Sequence, residues 1–165
     1  MIRIALLTAA IAVFSPAAMG QSNAPRPSNI PQQGLKNYDT ERLLRDLVGE
    51  RRSSQVYAAR ELRRQARMTV LLLHEPDQDT VMEARLRLSD FDKQLAPACV
   101  SVLDQPHVTF LCADILGTLE TTSALPALEA TFQAADKRRN RKSLERNIDR
   151  LQTVLQRTEP QGSRS

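Results

Sequence analysis

Apolar residues recur at helical spacing along most of this chain, and short polar turns interrupt them at a regular interval. The clearest stripe is Val108, Leu111, Cys112, Ile115, Leu116 and Leu119, the i, i+3, i+4, i+7, i+8 pattern of a helix with one face turned to a core. The same reading predicts about eight helices in all. The first carries Leu43, Leu44, Leu47 and Val48, with Asn37 or Asp39 as its cap and Gly49 at its end. The second runs from about Ser53 to Arg67, with Val56, Ala59 and Leu62 inward; the third holds Met68, Leu71 and Leu72 and stops before Pro76. The fourth holds Val81, Ala84, Leu86 and Leu88, and the fifth, from about Gln94, holds Leu95, Cys99, Val102 and Leu103. The sixth is the stripe above. Ser123 is positioned to cap the seventh, with Leu125, Leu128 and Phe132; the eighth carries Leu144, Ile148, Leu151 and Leu155.

A Val follows a polar turn three times, at Ser53-Ser54-Gln55-Val56, at Pro76-Asp77-Gln78-Asp79-Thr80-Val81 and at Asp104-Gln105-Pro106-His107-Val108. The three Val residues are 25 and 27 positions apart, a period that signals stacked helical hairpins. Pro97 and Pro126, 29 residues apart, take the same place in successive pairs, each in a first helical turn where its missing N–H has no intrahelical partner to lose. Short connections favour antiparallel neighbours. The expected fold is all-α, about four antiparallel helical pairs.

The chain ends read differently. Arg3, the apolar run Ile4–Phe14 and the small residues of Ala18-Met19-Gly20 have the form of a secretory signal over residues 1–20, cleaved before Gln21. The run is too short for a membrane span of about 20 residues. Residues 21–36 form a Pro-, Ser- and Asn-rich stretch with too little apolar surface to order itself. Residues 37–157 make the helical domain, and the polar residues 158–165 a disordered tail. Export would place the protein in the periplasm or outside the cell.

Composition agrees with helices: few aromatics, no Trp, five Gly, and no segment of convincing period-two alternation. The formal charge is +4, from 23 basic and 19 acidic residues. That excess favours anionic partners weakly and, with export, argues against nucleic acid.

Leu95-Ala96-Pro97-Ala98 through Asp104-Gln105-Pro106-His107-Val108, then Cys112-Ala113-Asp114-Ile115-Leu116-Gly117, resembles a HEAT repeat, and Ala124-Leu125-Pro126-Ala127-Leu128-Glu129 resembles the start of the next. The match is best over residues 94–132, weaker over 68–90 and weakest over 38–67. The last pair departs from it: the basic stretch Lys137–Lys142 replaces the short turn. This suits either a terminal repeat, which needs a polar outer face, or a helix added after an array that ends at 132. The resemblance implies a short right-handed α-solenoid, used as a scaffold or binding surface, with no reaction attached.

No motif for catalysis stands out. There is no Gly-rich phosphate loop, no G-x-S-x-G, no H-E-x-x-H and no C-x-x-C. His74 lies beside Glu75, Asp77 and Asp79, but acidic turn residues ordinarily cap the following helix. The chain is therefore read as a non-enzyme without cofactor or metal. Arg60, Arg63, Arg64 and Arg67 form an i, i+3, i+4, i+7 stripe, and Lys137, Arg138, Arg139, Arg141 and Lys142 a second basic cluster in a loop. Both read either as solvated surface or as a landing site for an acidic partner. In a solenoid the second helices of successive pairs, starting near Ser53, Thr80, His107 and Arg141, line up. Their exposed positions would include Arg60, Arg64, Arg85, Arg87 and Asp114. The candidate partner-binding residues are thus Arg60, Arg63, Arg64, Arg67, Arg85 and Arg87. Cys99 and Cys112, the two cysteines, sit at equal distances from the Gln105-Pro106 turn. They are either a disulfide or a pair of buried thiols.

The expected role is a protein-interaction module or scaffold of the cell envelope, without a membrane anchor once the signal is removed. The alternative is a regulatory factor that holds an anionic ligand or envelope component through an arginine-rich face.

Overall fold

Asp39 opens the first helix of the described chain: its carboxylate accepts the Arg42 N–H at 2.9 Å, satisfying one donor that a helix start leaves unpaired. A computed structural model describes residues 39–158. Their regular elements are helical: α1 (Thr40–Val48), α2 (Arg52–Leu72), α3 (Gln78–Ser101), α4 (Thr109–Leu119), α5 (Leu125–Ala134) and α6 (Arg138–Thr158), with a 3-10 turn at Thr122–Ala124. The expected signal (1–20) and linker (21–36), the cap candidate Asn37, and all of residues 158–165 but Thr158 lie outside the described residues.

Six helices replace the eight expected, because two breaks are absent. The second and third predicted helices are the single helix α2: the run from Gln65 to Leu72 holds no Gly or Pro to stop it, and its Thr69 hydroxyl donates back to the Gln65 carbonyl at 2.9 Å instead of capping a new helix. The fourth and fifth are the single helix α3, which passes through Pro97. That proline is not in a first turn. It lies on the exposed side of α3, where water can reach the carbonyl that lacks an N–H partner. Pro126 does sit in the first turn of α5, but Ser123 makes no side-chain cap there; the 3-10 turn delivers the chain into the helix instead. Asp77 caps α3 through the Thr80 N–H at 2.9 Å, so this acidic turn serves the helix start. The basic cluster at 137–142 is not a loop either: from Arg138 onward it is the first turn of α6.

Neighbours in sequence pack together: α1 on α2, α2 on α3, α3 on α4 and α5 on α6. Alternate helices also meet, α1 with α3, α2 with α4 and α4 with α6. The central helix α4 therefore has partners on several sides, and Leu111 through Gly117 are buried without interruption. Its stripe residues Leu111, Ile115 and Leu116 join Leu47 and Leu62, and Leu95, Leu128, Leu144 and Leu151, in one core.

The joined ends of α2 and α3 behave otherwise. Ala66, Thr69, Val81 and Ala84 are buried there, while Met68, Leu71 and Leu86, read as inward from their spacing, face solvent; Leu86 is 64% exposed. At 1.5 Å per residue α3 is roughly 36 Å long and α4 roughly 16 Å. The shorter helix cannot cover both faces of the longer ones.

Candidate functional site

One ionised side chain is placed where periodicity would not put it. Asp114 was expected on an exposed position of its helix, yet it is only 5% exposed. The reason is the crowding of α4: with α2 and α6 both packed on it, its polar side is covered as well as its apolar side. A carboxylate taken out of water must be paired and hydrogen-bonded, and the neighbours supply that. Oδ2 faces the guanidinium groups of Arg63 at 3.1 Å and Arg67 at 3.5 Å, both from α2. Oδ1 is in close contact with the Arg146 guanidinium of α6 and accepts the Asn147 side-chain amide at 3.1 Å. The Ser143 hydroxyl lies 3.0 Å from the same oxygen and 3.1 Å from the Phe110 carbonyl. Arg139, in the first turn of α6, stacks over the Phe110 ring at 3.7 Å.

α6 can approach because Gly117 has no side chain. A Cβ there would stand 2.0 Å from Asn147 Oδ1 and 2.7 Å from its Cγ. The glycine is thus a packing requirement of the site. Asn140 adds a tie at the same end of α6, donating to the Pro106 carbonyl at 3.0 Å.

The charges do not cancel. Three guanidinium groups meet one carboxylate, and Arg139 is close enough to act on them. The Arg63 guanidinium is held below its usual pKa: burial is the main cause, Arg67, Arg146 and Arg139 add repulsion, and Asp114 opposes. It remains a cation at neutral pH, as arginine does in proteins. Its Nε is buried and has no hydrogen-bond partner. The cluster is an excess of cations arranged around a buried anion, with Arg67 52% and Arg146 63% exposed at its rim.

Of the six arginines singled out by spacing, the structure brings two into this cluster, Arg63 and Arg67. Arg64 turns to Glu61 on its own helix, and Arg60 is exposed. Arg85 and Arg87 lie on α3, outside the α2, α4 and α6 contacts, and Arg87 pairs with Glu83 at 3.5 Å. Sequence spacing missed Asp114 as the hub, and Arg146, Ser143, Asn147 and Arg139 as its partners. The signals were present. Asp114 is the one charge within Phe110–Leu119, and Ser143 and Asn147 interrupt the buried stripe of Leu144, Ile148 and Leu151 at helical spacing.

The histidines stand apart from this site. His107 Nε2 meets Gln55 Oε1 at 2.6 Å, and His74 is exposed near the α2–α3 turn. Among the described residues no cluster of three His, Cys, Asp or Glu side chains is placed to hold a metal, and no helix is long and apolar enough to cross a membrane. Cys99 and Cys112 are buried, unbonded thiols.

No family model, curated protein or solved structure matches the chain.

Proposed function

We propose that this protein is an exported helical-repeat interaction module, and that it binds an acidic segment of a protein partner at the arginine cluster over Asp114. The observation that carries this reading is the charge excess: Arg63, Arg67 and Arg146 share a single carboxylate. Like charges held together repel, and an incoming carboxylate relieves that repulsion. Asp114 acts as the anchor that holds the forks in place; the outer arginines, Arg67 and Arg146, remain more than half exposed. Arg is suited to the task because its planar donors match a carboxylate. The first turn of α6 adds to the field, since Arg138, Arg139, Arg141 and Lys142 crowd the end where helix dipoles already place partial positive charge.

The repeat reading is supported by the packing of α2 on α4 and of α4 on α6, the contact order of a two-layer stack of hairpins. In a HEAT-like solenoid this inner row would be the binding face, with α6 as its last member. Arg85 and Arg87 then fall off that face, and the binding residues reduce to Arg63, Arg67, Arg139 and Arg146. Export remains part of the proposal through the signal-like residues 1–20.

The test is fluorescence anisotropy of a labelled Glu/Asp-rich peptide against the protein. Binding should weaken markedly from about 50 mM to about 300 mM salt as screening shortens the reach of the charges. Replacing both Arg67 and Arg146 by Ala should weaken it about tenfold or more, in line with the loss of charge-assisted hydrogen bonds. The control pair Arg42→Ala and Arg157→Ala removes the same charge elsewhere and should change it little. Equal losses from the two pairs would refute a specific site and leave only net charge.

A further inference from the structure

Cys99 and Cys112 are the two cysteines of the chain, and the fold brings them together. Cys99 is in the last turn of α3 and Cys112 in the first turns of α4, helices that pack on one another. Both are fully buried members of the core. The Cys112 thiol is close enough to help hold the Cys99 thiol well above its usual pKa. Each lies near a helix end that flanks the Val102–Val108 connection, where the backbone bonds are turn-like: Val102 N–H donates to the Cys99 carbonyl at 3.4 Å and Leu103 N–H to the Val100 carbonyl at 3.3 Å. Such ends are where the backbone can yield to bring the two sulfurs to the bonded distance of about 2.05 Å.

We propose that Cys99 and Cys112 are a modification site: a pair that a small-molecule or protein disulfide joins as the chain folds, locking α3 to α4. The step is thiol–disulfide exchange. One cysteine thiolate attacks a sulfur of the oxidant disulfide, forming a mixed disulfide and releasing one oxidant thiolate. The second cysteine thiolate attacks the protein sulfur of that mixed disulfide, and the other oxidant thiolate leaves. The two protein thiols lose two protons and two electrons, and the oxidant is reduced to two thiols.

The same burial makes the folded pair inert. Hydrogen bonding to Cys112, then burial, holds the Cys99 thiol well above its usual pKa, and only thiolate reacts. No oxidant can reach sulfurs enclosed on every side. Exchange must therefore precede the closing of α4 over α3, or await an opening of the core.

The experiment is refolding of the reduced, urea-unfolded chain with oxidised and reduced glutathione, followed by trypsin digestion. No Lys or Arg lies between Lys93 and Lys137, so both cysteines fall in one peptide. The expected result is that this peptide loses two hydrogen masses, that the product is monomeric on a non-reducing gel, and that no thiol reacts with maleimide after denaturation. The bonded protein should unfold at a higher urea concentration than the reduced protein, and dithiothreitol should abolish the difference. The Cys99→Ala, Cys112→Ala double variant should not respond to dithiothreitol. Glutathione adducts, cross-linked dimers or two free thiols after refolding would overturn the proposal. Oxidation of already folded protein as fast as refolding protein would overturn the claim that the pair closes during folding.

Discussion

Replacing Asp114 by Ala is the sharpest probe of the arginine cluster, because the partners differ in burial. Arg63 is only 27% exposed at its side chain, and its Nε already lacks a partner. Without Asp114 it becomes a largely buried cation with no counter-charge, the situation in which removing one member of a buried pair costs about 3–5 kcal/mol. Arg67 and Arg146 are more than half exposed; water replaces the carboxylate for them, so each adds at most about 1 kcal/mol. Ser143 and Asn147 keep the backbone acceptors they already reach, the Phe110 and Ser143 carbonyls. The expected loss is about 3 kcal/mol, near the lower end of the buried-pair range because the site is open at its rim. With a urea m-value of about 1–3 kcal/mol/M, the unfolding midpoint should fall by roughly 1–3 M. Arg67→Ala should cost no more than about 1 kcal/mol. The Asp114→Ala, Arg63→Ala double variant should be more stable than the sum of the two single losses implies, since the second change removes the stranded charge. Added sulfate should restore part of the Asp114→Ala loss by occupying the vacated place. An Asp114→Ala protein within about 0.5 kcal/mol of the parent, the range of ordinary surface substitutions, would refute the burial argument. Strict additivity with Arg63→Ala would refute the coupling.

Gly117→Ala should destabilise the fold by about 1–3 kcal/mol through overpacking against Asn147, although Ala is the better helix former by about 1 kcal/mol; urea unfolding measures it, and adding Asn147→Ala should recover part of the loss. Burial chiefly, then Arg52 and Lys137, lowers the His107 pKa, so the unfolded chain takes up the proton first. Its contribution to stability is full above about pH 6.5 and is lost as pH falls through the folded value. Urea midpoints at about pH 7.5 and about pH 5, spanning that titration, should therefore differ more for the parent than for His107→Gln, and equal differences would show that His107 is not the group responsible.

Much was legible in the residues alone. The all-helical character follows from period and composition, and the caps at Asp39 and Asp77 from short acceptor side chains before apolar stripes. The α4 stripe predicted a buried Leu116, and it is buried. These are local matters: a helix forms and starts where nearby residues permit it. The arginine stripe was legible as well, but its division was not. Arg63 and Arg67 reach Asp114 while Arg64 folds back to Glu61, and only the position of the next helix separates these outcomes.

What periodicity cannot state is how many neighbours a helix will have. It names the apolar side of α4, but α2, α3 and α6 together enclose α4 on several sides, and Asp114 becomes the buried hub of a charge cluster. The same ignorance runs the other way at the far ends of α2 and α3, where Leu71 and Leu86 have the spacing of core residues and stay exposed. The continuity of α2 and α3 across the expected breaks belongs here too, since a regular repeat frame suggested turns that no Gly enforced, and Thr69, Ser89, Asp90 and Asp92 lie within continuous helix. Burial is a property of the assembled set of helices. One strand of sequence fixes which side of a helix prefers a core, and the lengths and contacts of the others decide which sides find one.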